Sequence, residues 1–555
     1  MGAIGPFKLA INMPGAVSAG AYTAGVLDFL IEAMDAWEAA KAAGATVPRH
    51  QVSIEVLTGA SAGGMCAAIS AVQLQENFPH IAEAAAPGAI TGNRLYDSWV
   101  QRVNILRLLE TRDLKANPQL VSGLDCTVLN EIAADALMPP QSNAGRGYIS
   151  PSLTLMLTLT NLRGTYYPLY SNAAKTAGEF ATYFGDRIRF QYGSAVTAAD
   201  GAPVEPLPAD GQGSWPVLGQ AALATGAFPL ALAPRVLTRK ACLYEDKSWS
   251  EEGSCCPVPP DFAGLVPADG TLDTLNVDGG VTDNDPFALA HDYIANLAPQ
   301  SAGGQNPREA DTADRAVLSI APFPSTETFS KNFSGPTSLP SIAGRVLNAL
   351  IAQSRFQGES LGLLTTRQGF SRFVIAPTDE KNPGGAALQG SALSAFGGFF
   401  SKGFRDHDFL LGRRNCQKFL TSYLVFRSDN PVIAAGLEGL SPQQVAAMAV
   451  RPPFAGDPLP AGVCWIPLVP LCGAAQAEVP YPQPYVMPYS DLEAIGNAVH
   501  SRVKACVNAL INQSLKGFEA EILKIVDSAG MIFISGSKIA GWLAEALGNA
   551  VSKPE

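Results

Sequence analysis

The run Leu57-Thr58-Gly59-Ala60-Ser61-Ala62-Gly63-Gly64 constrains this chain more than any other stretch, because it sets a G-x-S-x-G between an extended and a helical pattern. Val52 to Leu57 reads as a short buried strand, and Ala62 to Gln75 carries apolar residues at helical spacing among good helix formers. A chain that passes from strand to helix through small residues can bend sharply, and a serine at the bend is thrust out of the sheet with its hydroxyl exposed. The helix that follows aims its N-terminal amides and positive dipole end at the place where an oxyanion would form. Ser61 is therefore a candidate nucleophile for acyl transfer. Taken alone, a glycine-rich turn capped by serine has the same pattern.

A second motif lies far downstream, Asn276-Val277-Asp278-Gly279-Gly280-Val281-Thr282-Asp283-Asn284-Asp285-Pro286-Phe287. Apolar residues precede Asp278, two glycines follow it, and a helical pattern then begins with FALAHDYIANLA. Asp285 is placed to cap that helix, with Pro286 at its first position. An aspartate at a strand end, freed by a Gly-Gly turn, can take a proton directly from a serine hydroxyl. An ordinary Asp-Gly turn has the same letters.

The two motifs, with the opening of the chain, resemble the patatin-like phospholipase family. Gly20-Ala21-Tyr22 through Gly25-Val26-Leu27 is similar to the family's G-A-Y-x-x-G-V-L, and it follows a first strand, Phe7 to Met13. The intervening loop, Gly15-Ala16-Val17-Ser18-Ala19-Gly20, departs from the family's G-G-G-x-R-G. Ala16 and Val17 still offer backbone N–H groups, although a positive φ is costly at Val17. Ala221 to Pro234 resembles the family's small-residue segment before D-G-G. The resemblance covers about residues 7 to 300. It implies a Ser61–Asp278 dyad, an oxyanion hole from Gly15, Ala16 and Val17 with Ala62 as helper, no metal or organic cofactor, and a lipid or phospholipid substrate cleaved through an acyl-serine intermediate.

An α/β-hydrolase triad is the competing reading of the elbow, in the order Ser61, Asp278 and then His291, His407 or His500. Position weighs against it, since that fold builds several βα units before its elbow and only about one precedes Ser61. None of the chain's five histidines sits in a strong loop signature. With the same dyad, an acyltransferase or thioesterase is an alternative, and so is a catalytically weak acyl-binding or scaffold protein.

Composition excludes other classes. A net charge of −11 is the wrong sign for nucleic-acid binding, which needs a basic face. With 47% hydrophobic and 16% charged residues over 555 positions, the chain can bury a large core. Nine cysteines without a C-x-x-C give neither a disulfide framework nor a metal-site spacing, and the adjacent Cys255-Cys256 have no nearby histidine. A cytoplasmic setting, with peripheral contact to a membrane, is expected. No signal peptide is read, because cleavage would remove the amide loop. No transmembrane helix is expected, the nearest candidate, Val463 to Ala475, being broken by Pro467 and Pro470.

The fold class is α/β, a three-layer patatin-like arrangement with a mostly parallel central sheet over residues 1–330, and a largely helical C-terminal extension over 331–555. Ala21 to Ala43 is a long helix with Tyr22, Val26, Leu30, Ala33 and Trp37 on one stripe. Ser152 to Thr160 and Ala316 to Ala321 read as strands, and Ala199 to Ser214 and Ala298 to Asp314 as surface loops. Helical periodicity marks Ile342 to Leu364 and Asp491 to Val526, while Ser428 to Pro488 is dense in proline. Ala392 to Phe400 (ALSAFGGFF), followed by Lys402, Arg405, Arg413, Arg414 and Lys418, reads as a buried aromatic cluster backed by a solvated basic helix, or as a lid that admits lipid. Asp406-His407-Asp408 reads as capping or hydrogen-bonding, and Met531 to Val551 as a packed amphipathic helix.

Overall fold

The runs FKLAINM and VSIEVLTG leave neither side of a strand polar enough to face water, so both can only be central strands. The computed structural model describes residues 4–169, 179–247, 258–262, 266, 270–297, 306–323, 369–454, 459–514 and 536–552, with single positions at 335, 342, 345, 349, 353 and 354. In chain order the strands of the main sheet are β1 (Phe7–Met13), β2 (Val52–Gly59), β3 (Ile149–Leu169), β4 (Glu179–Tyr192), β5 (Glu205–Leu207), β6 (Arg235–Lys240), β7 (Thr271–Asp278), β8 (Arg315–Ile320) and β9 (Arg372–Ile375). They lie in the order β5-β4-β3-β2-β1-β8-β9, with β7 beside β3 and β6 beside β7. Pairing is parallel except where β3 meets β4 and β7 and where β6 meets β7. The protein is thus α/β with a mixed, mostly parallel central sheet and helices in its C-terminal part.

Side chains of the central strands alternate between two cores, as a period of two requires. Leu9, Ile11, Ile54, Leu57, Leu155 and Leu318 face one core with the long helix α1 (Gly20–Ala42) and with α2 (Ser61–Gln73). Ala10, Val56, Met156 and Val317 face the other, where the helix Phe287–Asn296 contributes Phe287, Ala290, Tyr293 and Ile294. Helices therefore cover both faces. The expected stripe on α1 is buried, and so is most of the rest of its circumference. The segment Val17–Ala42 is long and apolar enough to cross a membrane, and 89% of its most apolar window is buried inside the fold.

Residues beyond 330 join the same core. β9 pairs with β8, and the helix Lys402–Ser422 crosses α1 through two glycines. A Cβ on Gly25 would lie 1.9 Å from the Phe409 carbonyl oxygen, and one on Gly412 would lie 2.3 Å from that of Tyr22. The expected solvated basic helix is not what forms here: Arg405 and Arg413 are buried, and Arg413 pairs with Asp28 and with Glu32 (2.6 Å) on α1. The sequence has no way to signal this, because the carboxylates lie nearly 400 positions away. A second core gathers Val103, Leu108, Val128, Ile132, Phe404, Leu492 and Ile495 under the helices Tyr489–Ser514 and Gly536–Leu547. Trp542 on the last helix is 60% exposed rather than packed.

Two further expectations change in detail. The loop expected over 199–214 contains β5, because Glu205, Pro206 and Leu207 pair with the edge of β4. The proline-dense stretch 428–488 holds Pro431–Leu437, Pro442–Met448 and a strand, Trp465–Pro467, paired with Val425–Arg427. Most of 342–364, 515–526, 298–305 and the Cys255-Cys256 pair fall outside the described residues.

Candidate active site

β1, β2 and β7 all end at the same side of the sheet, with Met13 opposite Gly59 and Asp278 opposite Leu159 of β3. Ser61, the amide loop and Asp278 are therefore brought together by strand ends. At the end of β2, Ala60 is still extended, with φ −122° and ψ 144°. Ser61 then takes a φ of 51°, a left-handed conformation that costs a non-glycine residue about 1–2 kcal/mol. Its N–H donates to Thr225 Oγ1 at 3.0 Å, which holds it there. The glycines on either side are required by space. A Cβ on Gly59 would sit 2.6 Å from the Gly63 carbonyl oxygen, and one on Gly63 would sit 2.0 Å from the Met13 carbonyl oxygen.

The Ser61 hydroxyl donates to Asp278 Oδ2 at 2.7 Å. The other carboxylate oxygen, Oδ1, accepts the Gly280 N–H at 2.7 Å, so the Gly-Gly turn fixes the carboxylate as well as freeing it. Asp278 is 3% exposed, and its backbone is tied by its N–H to the Ala227 carbonyl and by its carbonyl to Thr160 Oγ1. Burial lifts the Asp278 carboxyl to about 7, against the opposing hydrogen bonds from Ser61 and Gly280. Burial also lifts the neighbouring Asp283 carboxyl to about 7, helped by the charge of Asp285. Asp285 does not cap the next helix as expected, because its carboxylate accepts Asn12 Nδ2 at 2.7 Å and the helix begins at Phe287.

The loop between β1 and α1 lies against Ser61, where a Cβ on Gly15 would come within 3.1 Å of Ser61 Cβ. Of the expected oxyanion donors, Gly15 is corrected: its N–H donates to the Asn284 carbonyl at 3.0 Å. Asn284 belongs to the same turn as Asp278, and its side chain fills the space that a Cβ on Gly15 or Gly280 would need. The N–H groups of Ala16 and Val17 meet no acceptor among the described residues, nor do the first-turn N–H groups of Ala62 and Gly63. Val17 does adopt the costly conformation, with φ 50°.

Beside Ser61 and Asp278 opens a cleft. Its walls are apolar, from Val17, Met65 and Ile69, from Trp99, Val103 and Leu108, from Leu124, Leu129 and Ile132, and from Phe228, Phe396 and Phe399. The stretch 392–400 is thus neither a fully buried cluster nor remote from the site. Phe228 meets Phe396 edge-on at 6.1 Å across the cleft. Among the described residues no histidine lines it; His291 stacks on Phe287, and His407 pairs with Asp408. Asp408 accepts the N–H groups of Gln389 and Gly390, while Asp406 accepts Tyr96 Oη and pairs with Lys402.

Asp28, Glu32 and His80 bring ligand-type atoms within 4.8 Å of one another, but both carboxylates are already ion-paired to Arg413. Sequence reasoning assigned no role to Thr225, Phe228 or Asn284, although the first two lie in the small-residue stretch Ala221 to Pro234 and the third in the motif around Asp278. The reading of Ala392 to Phe400 as a lid that admits lipid did point to Phe396 and Phe399.

No family model matches the chain. The "uncharacterized protein y4iI" of Sinorhizobium fredii (strain NBRC 101917 / NGR234) is 34% identical over 528 residues, covering 86% of this chain and 72% of that protein. Among solved structures, VipD from Legionella pneumophila aligns over 99% of this chain and 92% of its own at 11% identity, with a TM-score of 0.19, too slight a likeness to carry an argument. The chain belongs to the family of y4iI.

Proposed function

We propose that this protein is a serine acyl hydrolase that cleaves carboxylic esters of lipids, phospholipids among them. The observation that carries the proposal is the 2.7 Å hydrogen bond from Ser61 Oγ to Asp278 Oδ2 beside an apolar cleft. The order of the motifs, similar to that of patatin-like phospholipases, supports the same reading. Asp278 removes the Ser61 proton as Oγ attacks the ester carbonyl. The N–H groups of Ala16 and Val17, with Ala62 at the helix start, receive the developing oxyanion. As the C–O bond breaks, Asp278 returns the proton to the leaving alcohol. Asp278 then deprotonates a water that attacks the acyl-serine, and the fatty acid departs with Ser61 restored. A carboxyl held near 7 by burial is a stronger base than an exposed one, and one residue can serve both half-reactions. The apolar walls take the acyl chain, each buried methylene contributing about 0.8 kcal/mol.

Turnover of a series of activated acyl esters tests the proposal, with Ser61→Ala and Asp278→Asn alongside the unaltered protein. Hydrolysis by the unaltered protein that both variants lose is the expected result. Equal turnover by all three would place the reaction elsewhere.

A further inference from the structure

Ser18 sits in the amide loop, 1% exposed, and takes no part in the chemistry proposed above. Its hydroxyl donates to the Ala395 carbonyl at 2.5 Å and accepts the Gly398 N–H at 3.1 Å. Donor and acceptor are both engaged across some 380 positions of sequence, which fixes the hydroxyl in one geometry. The segment it holds is unusual. Leu393, Ser394 and Ala395 are consecutive non-glycine residues with φ of 54°, 54° and 70°. Such a run costs about 1–2 kcal/mol per residue and persists only where the surroundings over-determine it. The buried guanidinium of Arg405 supplies the second clamp, donating to the carbonyls of Gly398 (2.8 Å), Phe399 (3.3 Å) and Val100 (3.1 Å).

Each end of this tie leads into the site. Phe396 and Phe399, from the clamped segment, wall the cleft. Val17, next to Ser18, is left-handed, lines the same cleft and carries one of the open N–H groups. We propose that Ser18 is a positioning residue that couples the wall of the acyl cleft to the oxyanion loop, so that a long acyl chain pressing on Phe396 and Phe399 sets Val17 for catalysis. The inference rests on the ester-hydrolase reading and names its preferred substrate, an ester whose chain is long enough to reach that wall. Binding energy from a part of the substrate that does not react is then used at the carbonyl, and raises kcat rather than only lowering KM.

The test pairs Ser18→Ala with Gly398→Ala, whose added Cβ would fall 2.5 Å from Ser18 Oγ and break the tie from the other side. Amide hydrogen exchange is read first, because it does not depend on activity. In Ser18→Ala, exchange should speed up at 16–20 and at 396–399 together, with α2 and β7 unchanged. Kinetics on short- and long-chain esters come second. For the long chain, kcat should fall about tenfold or more while KM moves by less than about twofold, and the long-to-short kcat ratio should collapse. The double variant should be no worse than the poorer single one, since both remove one interaction. A folded Ser18→Ala protein that keeps its long-chain kcat, or loses rate equally on short and long esters, overturns the inference. If the unaltered protein turns over no ester, the hydrolase reading fails instead. Unaltered exchange at 16–20 in Ser18→Ala would then reject the tie by itself.

Discussion

Thr225 and Ser61, 164 positions apart, meet through one bond: the backbone N–H of Ser61 donates to Thr225 Oγ1 at 3.0 Å. That bond holds a serine in a left-handed turn that its own side chain disfavours. Thr225→Val keeps the volume and removes the acceptor, leaving the Ser61 N–H without a partner. We expect a loss of about 1–3 kcal/mol in stability and a slower acylation of Ser61. Urea unfolding and pre-steady-state ester kinetics measure the two. An acylation rate equal to that of the unaltered protein would show that Thr225 does not hold the turn.

Burial raises the Asp278 carboxyl to about 7, and the group acts as a base only when deprotonated. kcat/KM should therefore climb with pH through about 7 and level off above it. A profile that is flat from about pH 5 to about pH 8 removes Asp278 from that role.

The same shift has a stability consequence of fixed sign. An unfolded aspartate titrates near about 3.9, so between there and about 7 the folded protein holds the extra proton, and stability falls as pH rises through that window. Asp278→Asn cannot ionise. The Tm of the variant minus that of the unaltered protein should grow from about pH 5 to about pH 8. Asp283, also raised to about 7, is present in both proteins and cancels in the difference. A constant difference across that range contradicts the burial argument.

Two glycines separate packing from propensity. Gly63→Ala forces a Cβ to within 2.0 Å of the Met13 carbonyl oxygen, and should cost about 3 kcal/mol. Gly219, in the helix Trp215–Thr225, has open space where its Cβ would be, and Gly219→Ala should stabilise by about 0.5–1 kcal/mol. Thermal unfolding of the two variants checks both signs, and opposite shifts are required.

The cleft predicts chain-length preference. Leu108→Trp fills part of it, which should lower kcat/KM for long-chain esters by about tenfold or more while short-chain esters are spared, since each excluded methylene forfeits about 0.8 kcal/mol. Equal losses on both would mean that the acyl chain lies elsewhere.

What could be read from the sequence was local. β1, β2, α1, α2 and the turn after Asp278 each carry their pattern within one or two dozen residues, so Ser61 and Asp278 stand out from their immediate neighbours alone. Their meeting is legible too, because both follow strands that end in small residues. The rest depends on partners far away in the chain. Nothing near Gly15 announces that Asn284 takes its N–H, and nothing in the basic run after Phe400 reveals that Arg405 will be buried against the carbonyls of a cleft wall. β5 was hidden for a different reason: Pro206 and Pro208, with Glu205 beside them, look like a loop until an edge of β4 is there to pair with them.

The most direct test is covalent labelling with a fluorophosphonate, followed by peptide mapping of the adduct. The account predicts one adduct on Ser61, absent in Ser61→Ala and strongly slowed in Asp278→Asn. A folded protein that stays unlabelled, or an adduct mapped to another residue, would contradict it.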